Sequence, residues 1–226
     1  VPVVINPLPS VAKGIVQHTD HSETIDFTKI HRLPKTLKSL RGPLEGAATL
    51  SPRGLVLVGQ QSLTSHHQQS LLARRWQAFV FTATTTITFA PTNFQQLAGL
   101  TLFYDTDNWQ YLYLSYDEEA HQRILRIECN TVGQARYAAP AVPLPPTGTI
   151  ALRVSVDHNQ AQFSYRLTDG DWQLIGSTLP ADQLSDDYIK DHGKLAFTGA
   201  MVGICAQDLN DHSGQAIFKN FDYQEH

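Results

Sequence analysis

The chain has 226 residues, of which 42% are hydrophobic and 17% charged, with a formal net charge of −4. That length suits one large domain, and the weak negative charge gives no reason to expect nucleic acid or an anionic membrane surface as partner. No apolar run approaches the roughly 20 residues of a membrane span, and no signal peptide opens the sequence. Cys129 and Cys205 are too few for a disulfide framework. Each sits in an apolar strand-like run and reads as a buried thiol, which makes the cytoplasm the easier compartment.

Residues 1–24 carry Pro2, Pro7 and Pro9 and show no clear period, so they read as a Pro-rich connector from a preceding domain. Residues 25–226 read as the domain itself. Short strands are expected at 25–27 and 40–42, then at 47–50 and 55–58 around a Ser51-Pro-Arg-Gly54 turn. Residues 62–69, with His66 and His67, read as a polar loop.

Residues 69–119 read as one unbroken antiparallel meander. Its longest strand, 76–89, places Phe79 and Phe81 on one face, and both are expected in the core with Trp76. Strands at 97–104, 108–116 and 123–128 follow. Within 108–116, Trp109, Tyr111 and Tyr113 fall on one face and Gln110, Leu112, Leu114 and Tyr116 on the other. A strict period of two is a β signature, because successive strand side chains point to opposite faces. Residues 149–156 alternate in the same way, and 162–167 and 172–175 flank a turn at Thr168 and Gly170. Only 181–188 can hold a turn or two of helix, before strands at 196–205 and 216–223. About a dozen short strands without an internal repeat indicate an all-β, two-sheet antiparallel sandwich of jelly-roll type.

The chemistry-bearing residues do not converge. A sugar hydrolase needs two carboxylates across a pocket, yet Asp105, Asp107, Asp117, Glu118, Glu119, Asp186 and Asp187 all fall in turns or short polar segments. No catalytic residue is assigned. His18, His21, His66 and His67 lack Cys or carboxylate partners at ligand spacing, so no metal site is assigned. No cofactor is implied beyond a structural calcium against Asp208, Asp211 or Asp222. Arg74 and Arg75, next to Trp76, read as a strand start or as anchors for a neighbouring domain. The face of Trp109, Tyr111 and Tyr113 is either core or a sugar-stacking platform.

A set of strings in order carries a family resemblance: Leu40-Arg-Gly-Pro43, Gly59-Gln-Gln-Ser-Leu63, Gln69-Ser-Leu-Leu-Ala-Arg-Arg75, Phe94-Gln-Gln-Leu-Ala-Gly-Leu100, Phe197-Thr-Gly-Ala-Met-Val-Gly203, Gln207-Asp208 and Phe221-Asp-Tyr223. From about residue 26 onward the chain resembles the C-terminal concanavalin A-like β-sandwich of glycoside hydrolase family 43 β-xylosidases. The resemblance implies an N-terminal five-bladed β-propeller that carries the catalytic carboxylates and releases xylose, sometimes arabinose, from xylo-oligosaccharides. It implies an accessory role here, with a sandwich loop closing the propeller's pocket and with homo-oligomers in scope. The loop at 197–201 is the candidate, through Phe197 and Met201. An aromatic often stands in the family where this chain has Met201, which leaves Phe197 as the ring of that loop. The alternative is a free-standing carbohydrate-binding module or lectin-like sandwich using Trp109, Tyr111 and Tyr113.

Overall fold

A computed structural model describes residues 19–168 and 170–226. The expected connector lies mostly outside the described residues, and Glu23 and Thr24 already belong to the first strand. The early strands are β1 (Glu23–Asp26), β2 (Lys38–Ser39), β3 (Ala48–Ser51), β4 (Gly54–Val58), β5 (Ser70–Arg75) and β6 (Val80–Thr88). Next come β7 (Gln96–Asp105), β8 (Asn108–Asp117) and β9 (Gln122–Thr131), a true meander, whose last strand also pairs with β10 (Gln134–Tyr137) and β11 (Val142–Pro143). The hairpin of β12 (Thr149–Asp157) and β13 (Gln160–Leu167) is edged by β14 (Gln173–Leu174) and β15 (Leu179–Pro180). A 3-10 turn, Asp182–Leu184, and the helix α1 (Asp186–Asp191) precede β16 (Met201–Asp208) and β17 (Gln215–Glu225).

The strands form two antiparallel sheets. One runs β14-β13-β12-β6-β17-β4-β3, with β1 added on β17 and β15 on β13. The other runs β10-β9-β8-β7-β16-β5-β2, with β11 on β9. β17 is therefore interior, bonded to β6 and β4 and, near its end, to β1.

Several expectations are corrected by the structure. Residues 69–119 are not a single meander, because β5 and β6 lie in different sheets. Residues 76–79 cross between them, so Phe79 precedes the strand and is 80% exposed, while Phe81 is fully buried. Trp76 is only partly buried, packed at the margin of the core. The strand expected at 196–205 starts at Met201, leaving 196–200 as a loop.

Period-two patterning places the core between the sheets. Leu100, Leu102, Leu112, Leu114, Leu152, Val154, Phe163, Phe218 and Phe221 are all buried there. A second, smaller apolar cluster lies on the outer face of the β8 sheet. Trp109, Tyr111 and Tyr113 join Phe103, Leu71, Ala73 and Cys205 there, under Leu63, which is fully buried although it stands in a loop.

Both cysteines are free and buried, one in each cluster. Burial pushes the Cys129 thiol up to about 11 and Cys205 up to about 12. The thiolate is the reactive species, so an aromatic disulfide reagent at pH 8 is expected to titrate neither thiol without denaturant and both with it.

Candidate functional site

The end of the sandwich that carries the loop before β16 exposes three large apolar side chains, Phe79, Leu195 and Phe197. Ala196 is buried, whereas Leu195 and Phe197 on either side are 84% and 80% exposed. The base of the loop is held firmly. The Trp76 backbone N–H donates to the Ala200 carbonyl at 3.0 Å, the Arg75 guanidinium donates to the Thr198 carbonyl, and Lys194 pairs with Asp107. Gly199 has φ +66°, and a Cβ there would come within 2.5 Å of Arg75 Nη1. A fixed base with two protruding apolar side chains is the geometry of a contact loop.

Beside this loop lies an apolar groove of about 620 Å³, walled by Trp76, Ala78, Phe79, Ala181, Leu184 and Ala200. Trp76 meets Phe81 edge-on, with ring centroids 5.1 Å apart. Its indole N–H is buried without a hydrogen-bond partner among the described residues. Phe79 lies parallel to the His158 ring and stays open to solvent. Neither Phe79 nor Leu195 was singled out for this surface from sequence. The available signal was the Leu195-Ala196-Phe197 alternation just ahead of a strand.

Arg74 and Arg75 part company. Arg75 is exposed at the loop base, but Arg74 is 2% exposed and faces the other sheet. Its guanidinium donates to Glu23 at 3.0 Å, to the His21 carbonyl at 2.9 Å and to the Gln77 side chain at 2.8 Å, and it lies 4.0 Å from the Tyr223 ring centroid. It is an internal clamp rather than an exposed anchor. Met201, half-buried, packs on the outer aromatic cluster.

Trp109, Tyr111 and Tyr113 are 4%, 1% and 3% exposed. Tyr111 donates to the Cys205 carbonyl at 3.0 Å, and Tyr113 donates to Glu128 at 3.3 Å. The chain's own loop covers these rings, so they offer no open stacking face. The sequence shows residues 62–69 as a loop but not its covering role, because residues 60–69 are almost all polar, with Leu63 their one large apolar side chain.

The carboxylates serve local structure. Asp105 and Asp117 accept turn N–H groups, and Asp186 accepts the Tyr104 hydroxyl at 2.7 Å. Asp208, fully buried, accepts the N–H groups of Asn210, Ser213 and Gly214 and the Gln96 amide, at 2.8–3.1 Å. Asp222 stands apart in β17. Among the described residues no three His, Cys, Asp or Glu side chains are grouped to hold a metal ion, and no helix is long and apolar enough to cross a membrane.

The β-xylosidase C-terminal concanavalin A-like domain profile matches residues 24–224. The chain belongs to that family. It is 34% identical to the beta-xylosidase of Bacillus subtilis over 96% of its own length and 41% of that protein. It is 32% identical to xylosidase/arabinosidase 43B of Humicola insolens over 85% of its length and 35% of that protein. The crystal structure of xylan beta-1,4-xylosidase from Bacillus halodurans superposes with a TM-score of 0.85 at 31% identity, over 96% of this chain and 41% of that one. The chain thus spans well under half of the relatives it matches, which have room for a further domain.

Two substitutions probe the clamps. Arg74→Ala is expected to lower unfolding stability by on the order of 3 kcal/mol, since it strips a buried cation from its partners; urea unfolding measures it. For Asp208, burial would raise the pKa, but the Gly214 and Asn210 N–H groups and the Gln96 amide hold it below the ordinary value. Its contribution is therefore full above the unfolded carboxylate value of about 4 and is lost as pH falls through its own lowered pKa. Asp208→Asn is expected to cost about 1.5–3 kcal/mol at pH 7 and progressively less on acidification, read from melts across pH.

Proposed function

We propose that this chain is the accessory sandwich of a family 43 β-xylosidase and performs no bond cleavage itself. It presents the 194–200 loop and the adjoining groove to a catalytic domain, a five-bladed propeller, elsewhere in the assembled enzyme. Phe197 carries this reading: a large apolar ring, 80% exposed on a loop whose base is tied down by Arg75 and Trp76. A ring placed at the rim of a sugar pocket excludes water and packs on the apolar face of a pyranose, so xylo-oligosaccharide meets this chain through the catalytic domain's pocket. The groove supplies a socket for apolar side chains of that domain, with the Trp76 indole N–H as a donor awaiting an acceptor. The turn-bound carboxylates support the absence of a catalytic pair. Two buried reduced thiols suit the cytoplasm.

The test is kinetic. In the enzyme assembled with its catalytic domain, Phe197→Ala is expected to lower kcat/KM for xylobiose by about 10- to 100-fold. The melting temperature should hardly move, because an exposed side chain contributes within about 0.5 kcal/mol of stability. The chain alone should leave nitrophenyl-xyloside untouched. Unaltered kinetics in the Phe197 variant, or turnover by the chain alone, would refute the proposal.

A further inference from the structure

A second groove lies at the opposite end of the β8 sheet. Ser115 stands six residues along β8 from Trp109, roughly 20 Å at the rise of a strand, so this groove is remote from the 194–200 loop. Its volume is about 360 Å³. The register explains its construction. Tyr113 pairs with Arg126 and Ser115 with Ile124, which places all four on the outer face as a floor. Phe94, 63% exposed, stands at the β8 side, where its carbonyl accepts the Ser115 hydroxyl at 3.2 Å. Tyr137, 61% exposed, stands on β10, two strands across from β8 and, through Glu128, level with Tyr111, four residues back along β8 from Ser115.

Arg126 lies against one face of Tyr137, its guanidinium carbon 4.4 Å from the ring centroid. That contact covers one face of a ring that is otherwise largely exposed. Around the rim, Tyr116, Glu118 and Glu119 make no side-chain hydrogen bond among the described residues. Two exposed aromatic rings lining one groove, with unengaged hydroxyl and carboxylate groups on its rim, match the two faces of a pyranoside chain. Rings take the apolar C–H face, and carboxylates and hydroxyls take the equatorial hydroxyls.

We infer that this groove is a carbohydrate-binding subsite that takes a short run of pyranose residues on Phe94 and Tyr137, separate from the catalytic domain's pocket. Choosing xylo-oligosaccharide as its ligand rests on the β-xylosidase reading given above. A protein partner fits less well, because the polar floor and acidic rim lack a dry apolar centre of the kind stable protein contacts use. A weak second site of this kind would hold a polymer near the enzyme and raise its local concentration.

Titration of the isotope-labelled chain with xylohexaose, followed by amide NMR, tests it. Shifts should concentrate at Phe94, Ser115, Arg126 and Tyr137 with millimolar affinity. Phe94→Ala and Tyr137→Ala should each weaken binding at least tenfold, while Tyr137→Phe, which keeps the ring, should retain it. Phe197→Ala should leave it unchanged, so the outcome is independent of the kinetic test above. Unmoved resonances at 10 mM ligand, or alanine variants that bind as well as the parent, overturn the subsite. Binding of cellohexaose in place of xylohexaose keeps the subsite and overturns its xylan assignment. A dimer in sedimentation that Tyr137→Ala dissolves overturns it in favour of a self-contact.

Discussion

At the Trp76 end, the joint between the two sheets is fixed by a buried cation, Arg74. Arg74 leaves β5 on its inward side and reaches the opposite sheet, where it meets Glu23 of β1 and the ring of Tyr223 in β17. A guanidinium suits this place because its planar fork serves several acceptors at once while its face lies on an aromatic ring. Glu23 keeps a quarter of its side chain exposed, so the pair avoids the full desolvation cost of two charges in a dry interior. The same guanidinium holds Gln77, whose N–H donates to Tyr223 at 3.0 Å. The crossover from β5 to β6 is thereby set in place, and the groove at Trp76 and Phe79 inherits its shape from that clamp.

The outer face of the β8 sheet shows a different solution to an apolar surface. Concave sheet faces lined by aromatic rings invite a ligand, but here the 59–69 loop lies across the rings and seats Leu63 on them. The loop is stapled at both ends. Gly59 donates to Gly214 at 2.7 Å, Asp208 donates to Gln60 at 2.9 Å, and Gln69 ties back to Leu63 at 3.1 Å. Gly59 approaches so closely that a Cβ would lie 2.7 Å from Asp208 Cβ, which explains glycine there without any appeal to its dihedral freedom. What remains open on that face is its far end, beyond the reach of the loop.

Much of the fold was legible in the sequence because inward and outward residues alternate cleanly in β8 and β12, and a pattern of period two has one structural meaning. The turns at Asp105 and Asp117 were legible for the same local reason. The sheet assignment of β6 was not. Alternation tells which residues share a face, but a strand such as Val80–Thr88, alternating buried and half-buried, reads alike in either sheet. Phe79 was misplaced because its phase agrees with Phe81 while its backbone has not yet entered the strand. Of the candidate site, the segment 197–201 was picked out by ordered family strings, and the structure places 197–200 in a loop with Met201 opening β16. The clamp role of Arg74 was hidden because it depends on Glu23 and Tyr223, which are distant in sequence and meet only through tertiary packing.

The interior position of β17 constrains how the molecule is made. This strand is synthesised after every other strand of the two sheets, yet it sits between β6 and β4 and is the sole pairing partner of β1 among the described residues. Before it emerges from the ribosome, β6 and β4 have open edges toward each other and β1 has no sheet to join. Such unpaired edges are aggregation-prone while they last, and pairings this remote in sequence form slowly. A prematurely terminated chain would therefore lack the middle of a sheet rather than a dispensable edge, and would be a ready substrate for chaperones and proteases. Completion of the sandwich thus reports that translation has passed β17.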